Sequence, residues 1–269
     1  MEVKPNAWEH RKVCFEHVHM IDSRSFEKLA ESLELREGDR VLDLMSGYGS
    51  VGIEIARYGL EQDIKGLHFT FLDNALAQIN KIKPGSSPLR NFLYRIVLSD
   101  AQDFDRLGKP YNKIVLKQGL HELPKSTQLG LVKKIYDSLY PQGIFSLWAN
   151  LLTPENQSIF QDIIRKKDEL AGYTSLVNNR YFFCEDEALE YMRKAGFTDL
   201  EVFARFPFRL STGRFLDADF NGDCDKLNEW NEYIRNRVGN EFRKNVKLED
   251  LDVIINLEFP EGIIRGRKY

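Results

Sequence analysis

Apolar residues along this chain change their spacing repeatedly, and each change marks the border of a short element. Phe26, Leu29, Ala30 and Leu33 recur at helical spacing behind Ser23, a residue suited to capping, so a helix is predicted over Ser23 to Glu34. Arg40 to Leu44 is a compact apolar run containing Asp43 and predicts a strand. After a break at Gly47 and Gly49, Val51 to Tyr58 predicts a helix and Leu67 to Leu72 a strand that ends at Asp73. Asn74 to Ile82 predicts a helix, Phe92 to Leu98 a strand closed by Asp100, and Lys113 to Leu116 a fourth strand. Gln128 to Leu139 carries Leu129, Val132, Ile135, Tyr136 and Leu139 on one face, and a Pro-Gln-Gly turn then leads into a strand over Ile144 to Asn150. Strands separated by helices of this length pair in parallel through right-handed crossovers, which predicts a doubly wound, mostly parallel, seven-stranded α/β sheet.

The second half keeps this rhythm less strictly. Helices are predicted over Glu155 to Leu170 and Glu185 to Lys194, and a strand over Leu200 to Leu210. Leu227, Trp230, Ile234, Val238 and Phe242 recur every three or four residues, so Lys226 to Arg243 predicts an amphipathic helix. Val253 to Phe259 is the predicted closing strand, with Gly262, Ile263 and Ile264 forming a bent or hairpin edge. No Pro-, Gly- or Ser-rich linker divides the chain, so residues 1–269 are expected to form one domain. Within it, 1–37 is a cap segment and the start of a core helix, 38–210 the ligand-binding core, 211–250 a helical insertion, and 251–269 the closing strand.

Composition narrows the function. The 269 residues, 42% hydrophobic and 29% charged, suffice for a buried core, and the balance of 38 basic against 41 acidic residues gives a net charge of -3. Such a chain has no overall basic field for a phosphate backbone, so nucleic acid is not an expected partner. It contains no apolar stretch of bilayer length and no apolar signal segment near its start, which sets the expectation of a cytoplasmic protein without a membrane partner. Cys14, Cys184 and Cys224 are widely spaced and suggest neither a disulfide framework nor a zinc site.

Val41 to Gly52 reads V-L-D-L-M-S-G-Y-G-S-V-G and contains G-x-G-x-x-G between a strand and a helix, a pattern that also fits a nicotinamide dinucleotide. Asp43 opposes that ligand, because its carboxylate would face a pyrophosphate docked on the helix N-terminus. A cationic ligand reverses the sign, and S-adenosylmethionine carries an ammonium and a sulfonium. The V-L-D-L-x-S-G-Y-G segment resembles the first motif of the class I S-adenosylmethionine-dependent methyltransferases, whose Rossmann-like fold matches the predicted sheet. The resemblance covers Arg40 to about Asn150 well and the rest more loosely. It implies S-adenosyl-L-methionine as cofactor, with Asp43, Ser46, Gly47, Tyr48 and Gly49 around its methionine end. It further implies that Asp73 and Asn74 meet the ribose, that Asp100 and Ala101 meet the adenine, and that Lys117 and Gln118 contribute from the fourth strand. The residues support this independently, since a carboxylate accepts both hydrogen bonds of a vicinal diol, and acids at successive strand ends gather at the carboxyl edge. The 24 residues from Gly49 to Asp73 accommodate a turn, a helix and a strand. Met45 departs from the family pattern, standing where many members have their first glycine.

The loop after the fourth strand, Lys117-Gln-Gly-Leu-His-Glu-Leu-Pro124, offers His121 as a general base near neutrality and Glu122 as its substitute. In-line methyl transfer also proceeds by positioning alone, and the alternative for His121 is a capping or loop hydrogen bond. The loop lacks the Asp- or Asn-Pro-Pro-aromatic signature typical of methyltransferases acting on nucleobase amines. His17, His19 and Asp22 would share a metal only on an extended segment, and Asp217 to Asp225 imitates a calcium loop without its final Glu. The first is expected to be a polar segment folding over the cofactor and the second a turn that caps the Lys226 helix, and no metal is expected. Aromatic residues make up 12% of the chain; of Trp8, Phe15, Tyr48, Trp148, Tyr181, Phe182, Phe183, Phe206, Phe208 and Phe215, many are expected in the core and some in an apolar pocket over a sulfonium. The expected activity is therefore O-, N- or C-methylation of a partly apolar small molecule. The alternatives are a non-catalytic S-adenosylmethionine-binding protein and an NAD(P)-dependent oxidoreductase.

Overall fold

The computed structural model describes Trp8 and residues 23–83, 88–108, 110–239 and 246–269. In chain order its main elements begin with α1 (Ser23–Ser32), β1 (Arg40–Leu44), α2 (Ser50–Glu61), β2 (His68–Asp73), α3 (Leu76–Ile79) and β3 (Leu93–Leu98). They continue with β4 (Tyr111–Lys117), α4 (Lys125–Asp137), β5 (Leu139–Asn150), α5 (Pro154–Ala171), α6 (Thr174–Asn179) and α7 (Glu185–Ala195). The last are β6 (Thr198–Ser211), α8 (Phe215–Ala218), α9 (Cys224–Arg237), β7 (Lys247–Asp250) and β8 (Ile255–Arg267). The strands form one sheet in the order β3-β2-β1-β4-β5-β8-β6, with β7 against β8. Strands β1 to β5 are parallel, while β8 runs antiparallel to both β5 and β6.

The central strands are buried on both faces, as parallel strands between helix layers must be. Phe26, Leu29 and Ala30 of α1 and Ile55 and Ala56 of α2 pack on one face, against Val41, Phe69 and Trp148. Leu131, Val132 and Ile135 of α4 and Ala188 and Met192 of α7 cover the other, against Leu42, Ile114 and Phe145. A third apolar cluster joins α5, α9 and the near halves of β6 and β8 through Phe160, Trp230, Ile234, Leu257 and Phe259. Pairing of β5 with β8 stops at Asn150–Glu261, beyond which β8 continues with β7 on one side and β6 on the other. The β6–β8 ribbon thus overhangs the carboxyl edge of the parallel strands and carries the inserted helices over it.

Four expectations need correction. Among the described residues the sheet has eight strands rather than seven, because Lys247–Asp250 pairs with β8 inside the segment read as a helical insertion. β8 is one continuous strand instead of a bend at Gly262, whose missing side chain lets Ala204 of β6 pass at a distance a Cβ would reduce to 2.3 Å. The helix expected over Asn74 to Ile82 shrinks to Leu76–Ile79, because the Asp73 carboxylate draws the Ala75 N–H at 2.8 Å and holds Ala75 extended. In the predicted Lys226 to Arg243 helix, Asp223 accepts from the N–H groups of Asp225 and Lys226, so α9 starts earlier, and the chain turns extended at Val238. Phe242 and Arg243 lie outside the described residues, as do Cys14, Phe15, His17, His19 and Asp22. No helix among the described residues is long and apolar enough to cross a membrane.

Gly52, one turn into α2, packs so closely that a Cβ would meet the Phe71 ring at 2.3 Å, whereas a Cβ at Gly130 of α4 would meet nothing within 4 Å. Gly52→Ala is expected to lower stability by about 1–3 kcal/mol through overpacking. Gly130→Ala should raise it by up to about 1 kcal/mol through helix propensity. Urea unfolding midpoints of the two variants check the opposite signs.

Candidate active site

The turn after β1 is built from left-handed backbone at Met45, Gly47 and Gly49, with φ of 59°, 55° and 80°. Two carboxylates take N–H groups of this turn, of the start of α2 and of the loop after β2. Asp73 accepts from Gly47 N at 2.7 Å and Ala75 N at 2.8 Å, while buried Asp43 accepts from Gly52 N at 2.9 Å. Ser46 N reaches Leu72 O and Gly49 N reaches Ser46 O, which closes the turn between β1 and β2. Met45 keeps the left-handed conformation that glycine would supply, and its sulfur packs on Gly119, where a Cβ would come within 2.8 Å. The departure from the family pattern therefore changes the cavity wall and leaves the turn intact.

A cavity of about 180 Å³ opens above this turn. Asp43, Ser46, Gly47, Tyr48, Asp73, Asn74, Asp100, Ala101, Lys117, Gln118 and His121, all candidates from the sequence, line it together. Gly49 is the exception: it sits at the N-terminus of α2 and packs on Ile82 and Phe71 instead. Asp100 also caps the short helix that follows it, accepting from Gln102 N at 2.7 Å. Lys117 extends its Nζ over the rings of Trp148 and Phe26, at 5.3 and 5.8 Å from their centroids. Gln118, left-handed at φ 52°, donates from Nε2 to Asn150 Oδ1 at 2.9 Å and to Glu261 Oε1.

His121 is buried, stacked on Phe182 at 4.4 Å between centroids, with Nε2 3.4 Å from Glu122 Oε1. Burial holds its imidazole below the ordinary histidine range, against the opposing pull of Glu122. Behind it runs a ladder of buried charges. Glu122 accepts from Arg180 Nη2 at 2.6 Å, Arg180 Nη1 reaches Asp168 at 2.7 Å, and Lys167 lies 2.7 Å from Asp168 and 3.4 Å from Asp219. Burial also pushes the Glu261 carboxyl up to about 7, over the opposing effects of Lys117 and the Gln118 hydrogen bond.

Sequence reasoning passed over Lys167, Arg180 and Glu261, all of which line the cavity. An acid beside Gly262 and the apolar pair Ile263-Ile264 was the available signal for Glu261; nothing local distinguished Arg180. Phe160, Phe182, Phe208 and Phe215 form the apolar wall and Trp8 also borders the cavity, its carbonyl accepting from Gln78 at 2.6 Å. Of the other expected rings, Trp148 and Phe206 stack edge-on at 5.0 Å beneath it rather than on its wall. The acidic run at 217–225 folds as a turn whose Asp223 caps α9.

No protein-family model matches the chain. A curated carboxy-S-adenosyl-L-methionine synthase from Nautilia profundicola is 28% identical over 185 residues, covering 64% of this chain and 75% of that protein. The structure of YcgJ from Bacillus subtilis superposes with a TM-score of 0.73 at 14% identity, over 92% of this chain and 99% of that one. A mycolic acid cyclopropane synthase, CmaA1, solved with S-adenosylhomocysteine, gives 0.54 at 14% identity, over 97% and 90% of the two chains. What the chain shares with these structures is the fold, a mostly parallel Rossmann-like α/β sheet between helix layers.

The raised carboxyl of Glu261 makes stability depend on pH. A folded-state value near 7 lies above the ordinary 4.5, so the native state binds the proton more tightly and stability falls as pH rises from about 4.5 to about 7. Glu261→Gln keeps the acceptor for Gln118 without the charge. Its thermal midpoint is expected to exceed that of the parent at pH 8 and to converge with it by pH 5, as read by calorimetry.

Proposed function

We propose that this cavity binds S-adenosyl-L-methionine and that the protein transfers the cofactor's methyl group to O, N or C of a small molecule. The observation that carries the reading is the meeting of Asp43, Asp73 and Asp100, from three successive strand ends, around one left-handed turn in one cavity. The residues fit the cofactor. Asp73 presents a carboxylate beside the exposed backbone of Gly47, suited to a vicinal diol, and Asp43 supplies the negative charge that a cationic methionine end requires. The same Asp43 disfavours a dinucleotide, since a pyrophosphate at the start of α2 would face it. The bound cofactor would supply an electrophilic sulfonium methyl. The chain's own task is then to align an acceptor and exclude water, which the inserted layer of Phe160, Phe182 and Phe208 favours. His121, kept neutral by burial and turned toward Glu122 through Nε2, is the candidate to accept a proton at its other nitrogen. Enclosure by the insertion favours a small acceptor over a macromolecule, and the free thiols of Cys184 and Cys224 fit a reducing, cytoplasmic setting.

The similarity to a carboxy-S-adenosyl-L-methionine synthase favours a second reading, in which the sulfonium compound itself is modified. Titration calorimetry should show S-adenosylhomocysteine binding and no NADH binding, with Asp73→Asn weakening the former by about 10- to 100-fold, the worth of a charged hydrogen-bond pair. Methyl-labelled S-adenosylmethionine incubated with cell extract should then label the small-molecule fraction. Label confined to protein or nucleic acid overturns the small-molecule acceptor, and an added mass on the cofactor supports the second reading.

A further inference from the structure

Glu261 lies outside the ladder of buried ion pairs that lines the cavity. Lys167 and Arg180 each have acid partners at 2.7 Å or less, and Asp168 and Glu122 are occupied by those bases. Among the described residues, no Lys, Arg or His nitrogen lies within 4.0 Å of the Glu261 carboxyl; the charged group that acts on it is Lys117, held farther off over Trp148. Gln118 fixes one carboxyl oxygen and at the same time ties down Asn150, the residue opposite Glu261 in the β5–β8 register. A carboxyl that is 2% exposed and oriented in this way needs a cation or a proton to be tolerated.

Its position says where that cation would come from. Asp73 and Asp100 end β2 and β3, whereas Gln118, Asn150 and Glu261 cluster where β4, β5 and β8 meet, across the turn from the expected ribose and adenine ends. Phe160, Phe182, Phe208 and Leu210 wall this end. Of the cations lining the cavity, Lys167 and Arg180 are spent on acids, and Lys117 rests on the faces of Trp148 and Phe26. We propose, on the cofactor reading above, that Glu261 is the counter-ion of a protonated amine and that the methyl acceptor is an amine on an apolar or aromatic body.

The chemistry balances. The ammonium gives one proton to the Glu261 carboxylate, leaving a neutral amine whose lone pair forms the N–CH₃ bond. The S–CH₃ bond breaks as its electron pair passes to sulfur, the product is the methylated ammonium, and the proton on Glu261 returns to solvent when the product leaves. A carboxyl whose proton affinity sits near neutrality suits this exchange.

The cofactor's own sulfonium is the other cation Glu261 could serve, and binding measurements separate the two. With the full chain saturated by S-adenosylhomocysteine, 2-phenylethylamine should bind at least about tenfold tighter than phenylacetate or 2-phenylethanol, the worth of a charge-assisted hydrogen bond. Glu261→Gln should erase that preference while leaving the affinities for S-adenosylhomocysteine and S-adenosylmethionine within about twofold of the parent. Equal or weaker binding of the amine, or a preference that survives in Glu261→Gln, overturns the proposal. A loss of affinity for S-adenosylmethionine but not for S-adenosylhomocysteine also overturns it, by assigning Glu261 to the sulfonium. If the parent binds neither cofactor form, the cofactor reading falls and this proposal with it.

Discussion

The architecture depends on how β1 ends. A parallel strand must hand its chain to a crossover helix, and the turn between them exposes N–H groups that no neighbouring strand can satisfy. Asp73 takes Gly47 N of this turn together with Ala75 N of the loop after β2, and Asp43 takes Gly52 N in the first turn of α2. Charge-assisted bonds of this kind are about twice as strong as neutral ones, which lets Met45 remain left-handed despite its side chain. The clamp also explains why Gly52 has no room for a Cβ: α2 is drawn down onto Phe71 until only glycine fits. The carboxylates that shape the turn are the ones left facing the cavity, so structure and candidate chemistry share the same atoms.

The second constraint is electrostatic. Burying Glu122, Arg180, Asp168 and Lys167 in one continuous ladder is tolerable only because each charge touches its opposite, and removing one member would leave another uncompensated at a cost of about 3–5 kcal/mol. The ladder joins the loop after β4 to α5 and to Asp219 beside the inserted helices, so the roof of the cavity and the His121 loop are fixed together. The insertion contributes its own apolar core around Trp230, whose indole N–H donates to Ile163 O at 2.9 Å. Its described helices pack on α5 and on the outer parts of β6 and β8.

Much of this was legible along the chain because it is local. Helical and strand periods depend on neighbours a few residues apart, and they set out β1 to β5 and the helices between them with borders displaced by a few residues. The acids at strand ends were legible for the same reason, since the direction of a parallel strand decides which edge its last residue reaches. The misplacements have local physical causes of another kind: a side-chain carboxylate unwinding the start of α3, and a glycine letting β8 run straight past β6.

The other half of the cavity depended on register between distant strands. Gln118 and Glu261 are 143 residues apart, and they meet because the antiparallel β5–β8 ladder sets Asn150 opposite Glu261 at the end of β4. Arg180 likewise reaches Glu122 from 58 residues away through the packing of α5 and α6 over the edge. Hydrophobic period and composition carry no record of such pairings, because a buried acid and a solvent-facing acid look alike in sequence until the sheet assigns each a partner and a dielectric. The residues thus determined by themselves a doubly wound core with three acids and a glycine turn at its edge, while long-range packing assigned the charges that face whatever lies beside them.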